Sequence, residues 1–215
     1  MKKHLLSISL VASAMFLFSN CSKDDSSPAA SSGNFSPLTS GSSWTYKYSE
    51  GTSASNNITV TVTNRDTVVG GKTYKVLTSS DGTTSYLAKT GSDYYRFGSF
   101  PSVGINSFEE LYLKDNKGVN ETWTSVANFV FSGQNIAANL TYTIKEKGVT
   151  RTVNGNVFNN VTHVRLDISI AGNVLGGGEF FYQDGVGLIE DSILVTPPFG
   201  SAYTSKEEIV SYNIK

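Results

Sequence analysis

Polar and apolar residues alternate with a period of two along most of this chain. Trp44-Thr-Tyr46-Lys-Tyr48 sets three aromatic residues on one side and two polar residues on the other. Ile58-Thr-Val60-Thr-Val62-Thr alternates with β-branched residues on both sides. Thr162-His-Val164-Arg-Leu166-Asp-Ile168-Ser-Ile170 is the cleanest run, aliphatic at most even positions and polar at most odd ones. Successive side chains of a strand point to opposite faces, so each run predicts a half-buried strand with one wet face. Gly70-Gly71, Asp81-Gly82, Lys117-Gly118, Asn154-Gly155 and Asp184-Gly185 separate such runs. Asn-Gly and Asp-Gly suit two-residue hairpins, whose central positions need positive φ. Helical signals are weak. Ser107–Leu113 and Ser205–Val210 each allow a turn or two, and the second also reads as the start of a closing strand. The expected fold is all-β and antiparallel: a curved sheet, a half-barrel or a sandwich.

The chain also matches itself. Val69-Gly-Gly71-Lys-Thr-Tyr74 resembles Val153-Asn-Gly155-Asn-Val-Phe158 at an offset of 84. Ile58/Val60 and Tyr142/Ile144 keep that offset, as do Leu77 and Val161. Trp44 matches Trp123 at an offset of 79, and Tyr86–Gly91 loosely matches Phe180–Gly185. One β domain over 37–215, made of two similar halves at about 37–118 and 119–215, follows.

The first 36 residues follow other rules. Met-Lys-Lys-His precedes a mostly apolar run of 14 residues from Leu5 to Phe18, then Ser19-Asn20-Cys21. A positive head, a short apolar run and a small-residue exit predict a signal peptide over 1–20. The run is shorter than the ~20 residues of a transmembrane helix. Cys21 is the only cysteine. Its thiol would carry diacylglycerol after cleavage, and several acyl chains make a stable anchor. Phe18-Ser19-Asn20-Cys21 resembles the lipobox of bacterial lipoproteins, with Phe and Asn at positions −3 and −1. Lys23-Asp24-Asp25 resembles the surface-export tag of Bacteroidetes-type lipoproteins. The Ser/Ala/Pro/Gly-rich stretch to Ser36 completes a flexible tether over 21–36, spanning on the order of 20 Å.

Pro37, Gly41, Trp44 and Tyr46, with Gly185-Val186-Gly187-Leu188-Ile189 near the end, resemble a group of Bacteroidetes-type outer-membrane lipoproteins with no assigned activity. The resemblance implies lipid anchoring in the outer membrane, facing the cell surface, and a β fold. It implies no reaction.

Composition narrows the chemistry. The formal charge is −1; without Lys2 and Lys3 the remaining 15 Lys+Arg face 18 Asp+Glu, giving −3. No basic stripe exists to neutralise phosphates, which argues against nucleic acid. His163 is the only histidine after residue 20, and the one cysteine is assigned to lipid, so no metal or cofactor is expected. No Gly-x-Ser-x-Gly elbow occurs. Gly176-Gly-Gly178 lacks the lysine and helix start of a phosphate loop and reads as a flexible connection. Glu109/Glu110, Glu179, Asp184, Glu190/Asp191 and Glu207/Glu208 are the carboxylates available for glycoside hydrolysis, and they read as solvated charge.

Two sets of residues suit a ligand face. His163, Arg165 and Asp167 share one strand face at i, i+2 and i+4. Tyr48, Tyr94 and Tyr95 stand out among abundant aromatics, most of which belong in a core. The expected role is a non-catalytic binding or adhesion module for a glycan, a small ligand or a partner protein. The membrane is met through the lipid alone. Two alternatives stay open: a periplasm-facing carrier of an apolar ligand, which needs a ligand-sized cavity between the halves, and a hydrolase of polymers, which needs two carboxylates converging in a cleft.

Overall fold

The structure, a computed structural model, describes residues 33–100, 105–131, 134–196 and 202–215. Cys21 and Lys23-Asp24-Asp25 lie outside the described residues. The described residues form twelve antiparallel strands in one sheet. They are β1 (Ser43–Glu50), β2 (Asn56–Val69), β3 (Lys72–Ser79), β4 (Thr84–Thr90), β5 (Asp93–Phe100), β6 (Ile105–Lys114), β7 (Thr122–Phe131), β8 (Gln134–Val153), β9 (Asn156–Ile170), β10 (Asn173–Gln183), β11 (Gly187–Val195) and β12 (Tyr203–Asn213).

The sheet order is β6-β5-β4-β3-β2-β1-β12-β11-β10-β9-β8-β7. Sequence neighbours are therefore space neighbours, and one long-range pairing, β1 with β12, joins the first six strands to the last six. The sheet curls until β6 meets β7. There the indole N–H of Trp123 donates to the Leu111 carbonyl at 2.8 Å, and the Leu111 N–H donates to Ser125 Oγ at 3.4 Å. The result is a nearly closed barrel, which leaves little unpaired edge.

Each half supplies six strands, and the two sets follow each other in the same order around the barrel. Trp44 and Trp123 sit on the first strand of their sets. The turns at Gly70-Gly71 and Asn154-Gly155 both join a second strand to a third, with positive φ at all four residues. Both of these hairpins shift register part-way, β2 between Val62 and Asp66, β8 between Ile144 and Arg151. A bulge of this kind bends a strand. Beyond it the first hairpin reaches across its own half: the Tyr74 hydroxyl donates to Glu109 of β6, and its ring packs 5.9 Å from Phe97 of β5. The second does likewise: Arg151 bonds Glu190 of β11 at 2.5 Å, and Phe158 packs 6.4 Å from Tyr212 of β12.

Three expectations change. Ser107–Leu113 lies within β6 and Ser205–Val210 within β12, with no helix in either. Pairing with β5 and β11 overrides the weak local preference. The Gly176–Gly178 run is the interior of β10, not a flexible connection. A methyl group on Gly177 would run into the Leu166 carbonyl of β9, and one on Gly176 into the Leu194 carbonyl of β11. Glycine is required there because neighbouring backbones approach too closely for a side chain. Finally, Phe35, Ser36 and Pro37 are buried, so the packed domain starts within the last residues of the expected tether.

Candidate functional site

The even positions of β1 point into the barrel. Trp44, Tyr46, Tyr48 and Glu50 line a cavity of about 640 Å³, running from buried Trp44 to exposed Glu50. Strands β2 to β6 add Ile58, Val60, Leu77, Leu87, Arg96 and Tyr112 to its wall. The second half adds Phe180, Tyr182, Leu188, Asp191, Ser205 and Glu207. The cavity thus lies between the two sets of six strands.

The segment before β1 builds the floor. Phe35 and Ser36 line the cavity from below. Tyr94 holds this segment: its hydroxyl lies 2.6 Å from the Gly33 carbonyl and 2.9 Å from Asp115, and accepts the Phe35 N–H at 3.3 Å. The Asn34 N–H donates to Asp184 at 2.5 Å, and the Gly185 N–H donates back to the Asn34 carbonyl at 2.9 Å. The indole N–H of Trp44 donates to the Val186 carbonyl at 2.6 Å, and the Tyr46 hydroxyl to the Leu188 carbonyl at 3.0 Å. Bonded this way, the aromatic rings are fixed in orientation around the space.

Charge enters the cavity from two sides. Arg96 of β5 donates two hydrogen bonds to one oxygen of Glu110 on β6, at 2.9 and 2.6 Å. Glu110 is 3% exposed and also accepts the Tyr142 hydroxyl. Arg96 keeps 38% of its side chain exposed, and it is the cavity that this surface faces. The Glu110 carboxylate holds the guanidinium pKa above its ordinary value. Across the cavity, Asp191 of β11 and Glu207 of β12 stand directly opposite each other in the ladder. Side chains so placed share a face and have Cβ atoms about 5 Å apart. Burial first, then Glu207, pushes the Asp191 carboxyl well above the usual range. Burial also raises Glu207. Burial, then these two acids, raises the Tyr46 hydroxyl far above 10. Tyr112 is pushed up to about 12, mainly by burial.

The residues expected to form a ligand face lie in four places. Tyr48 lines the cavity near its rim, with its hydroxyl 2.8 Å from Glu50. Tyr94 is fully buried under the floor. Tyr95, next to Tyr94 in β5, points to the opposite face, with the Lys72 ammonium 3.0 Å above its ring. His163, Arg165 and Asp167 do share a face, and it is the outer one. His163 lies flat on Phe181, ring centroids 4.3 Å apart, between Glu146 at 3.1 Å and Glu179 at 2.7 Å. Arg165 bridges Glu179 at 2.5 Å and Asp167 at 3.0 Å. This network satisfies itself. No group of three or more His, Cys, Asp or Glu among the described residues could hold a metal ion.

Arg96, Asp191 and Glu207 were not singled out as a ligand set by sequence reasoning, and the reading of the acids as solvated fails for Glu110, Glu190 and Asp191, which are 3%, 8% and 6% exposed. The two cavity acids are 16 residues apart along the chain and meet only through the β11–β12 register.

No family model and no curated protein matches this chain. A solved structure titled "putative lipoprotein" from Parabacteroides distasonis is 12% identical, with a TM-score of 0.46, over 83% of this chain and 98% of that one. Another, titled "putative exported protein with YmcC-like fold" from Bacteroides fragilis, is 9% identical, with a TM-score of 0.41 and the same coverage. At these scores neither likeness bears on function.

Proposed function

We propose that this chain is an envelope lipoprotein whose barrel takes a small ligand into its interior and does no chemistry on it. The observation that carries this reading is the cavity of about 640 Å³ between the two sets of strands. Small-molecule sites are concave, mostly apolar and roughly 300–1,000 Å³, with a few placed polar groups. Aromatic walls with one arginine and four acids suit that description, and a space lined at one end by buried Phe35, Ser36 and Trp44 suits a small ligand better than a polymer or a protein.

The test is titration of the intact chain with N-phenyl-1-naphthylamine, a neutral fluorophore that brightens in apolar surroundings. Saturable 1:1 binding is expected, weakened in Ser205→Trp, which puts an indole into the cavity, and kept in His163→Ala on the outer face. Binding that is unchanged in Ser205→Trp and drops in His163→Ala would move the site outside the barrel.

Cys21 and Lys23-Asp24-Asp25 support a lipid-anchored place on the outer face of the outer membrane. Protease treatment of intact cells should remove the protein while the outer membrane stays closed; full protection assigns it to the periplasmic side. The Asp191–Glu207 pair favours one other reading, hydrolysis of a small glycoside by two carboxyls. Turnover of an aryl glycoside that Asp191→Asn and Glu207→Gln both abolish would establish it.

A further inference from the structure

The charges around the cavity do not balance. Four acids line it, Glu50 and Asp81 toward the rim and Asp191 and Glu207 farther in, against one cation, Arg96. Arg96 is already matched by Glu110. No ion pair with Lys, Arg or His is made by any of the four acids among the described residues. Asp81 is occupied at its turn by Thr83, and Glu50 by Tyr48.

The inner pair has less. Asp191 is 6% exposed and lines the cavity, with one hydrogen bond, from the backbone N–H of Glu207. A carboxylate offers about four acceptor positions, so most of its capacity is unmet. The Glu207 carboxyl makes no side-chain hydrogen bond or contact ion pair among the described residues, and the cation that attracts both acids, Arg96, is held in contact by Glu110 instead. Two like groups directly opposite in a ladder destabilise it, and a buried carboxylate with no cation in contact costs more. Such an arrangement is relieved by a cation. The surrounding surface is aromatic: Tyr46 and Tyr48 stand beside the pair on β1, and Phe180 lies opposite Asp191 on β10. Ring faces attract cations, most strongly where water is excluded.

We propose that the cavity selects an organic ammonium ligand, its cationic head between Asp191 and Glu207 and its apolar body against Tyr46, Tyr182 and Phe180. This rests on the reading of the barrel as a ligand carrier and adds the ligand's charge. The head gains charge-assisted hydrogen bonds from two acceptors and cation–π contact from the walls. An anion in the same place would meet two carboxylates.

The test displaces the bound neutral fluorophore with three probes of one chain length at pH 7: octylamine, octanol and octanoate. Octylamine is expected to displace at roughly tenfold lower concentration than octanol, with octanoate the weakest. In Asp191→Asn/Glu207→Gln the preference for octylamine over octanol should fall to near one. The wild-type comparison stands even if that variant misfolds. Equal displacement by octylamine and octanol overturns the cation reading and leaves the carrier. Preference for octanoate overturns it and assigns recognition to Arg96. Absence of fluorophore binding overturns the carrier itself.

Discussion

Replacing Gly178 by alanine tests how tightly the sheet is drawn around the cavity. Gly178 lies inside β10, opposite Leu166 of β9 and Ile193 of β11. An added Cβ would stand 2.8 Å from Cε2 of Phe180, 2.9 Å from the Ser192 carbonyl oxygen and 3.2 Å from Cγ1 of Ile193. Ordinary contact begins at 3.4 Å, so the Ser192 backbone has to retreat by about 0.5 Å and the Phe180 ring by about 0.6 Å. The ring can turn, at the cavity's expense. The carbonyl belongs to the β10–β11 ladder and moves only by stretching its hydrogen bonds. Overpacking of this kind costs about 1–3 kcal/mol. At roughly 2–4 °C per kcal/mol for a domain of this size, a fall in Tm of about 2–12 °C follows. Differential scanning calorimetry reads it directly. Gly98→Ala is the control: an added Cβ there meets nothing within 4 Å. Its Tm should move by less than about 2 °C, since free surface changes stay within about 0.5 kcal/mol. Equal Tm values for the two variants would refute the close approach of β10 to β11.

Other consequences follow from the same contacts. Phe35→Ala removes a buried ring from the floor and should lower stability by about 3–5 kcal/mol in denaturant unfolding. Arg96→Leu strands Glu110 as a buried, unpaired charge and should cost about 3–5 kcal/mol, largely recovered in Arg96→Leu/Glu110→Leu. Asp191 and Glu207 hold protons more tightly folded than unfolded. The stability they supply is therefore full below the ordinary carboxylate range and lost as pH rises through their raised values. Arg96, Tyr46, Tyr48 and Glu190 are the groups around them. Against wild type, Asp191→Asn/Glu207→Gln should gain stability at pH 8 and none at pH 4, by thermal unfolding across pH. Asp81, Glu109 and Glu190 act oppositely, because their pKa values are lowered and their contribution is lost as pH falls.

Strand content and hairpin positions were legible because both are local. Alternation in Trp44–Tyr48 and positive φ at Asn154-Gly155 each need only a few neighbouring residues. The self-match pointed to two halves in the same order but not to six strands in each. What could not be read was register. One residue of slip moves a side chain to the other face of a strand. His163, Arg165 and Asp167 share a face as the alternation implied, but only closure of the sheet makes that face the outer one. Tyr94 and Tyr95, adjacent in one strand, had to point to opposite faces, but which of the two is buried depends on closure of the sheet. Asp191 and Glu207 meet because β11 pairs with β12 in one particular register. The three glycines of β10 carried the opposite meaning from the usual one, since close backbones demand them there as firmly as flexible turns do elsewhere.

The central claim is that the barrel holds a small ligand. A crystal structure of the intact chain grown with 8-bromooctylamine tests it most directly, because bromine scatters anomalously and marks where the chain lies. An anomalous peak among Tyr46, Tyr182 and Phe180, with the amine at Asp191 and Glu207, is the expected result. Bromine found only on the outer face, with the cavity filled by neighbouring side chains, would contradict the account.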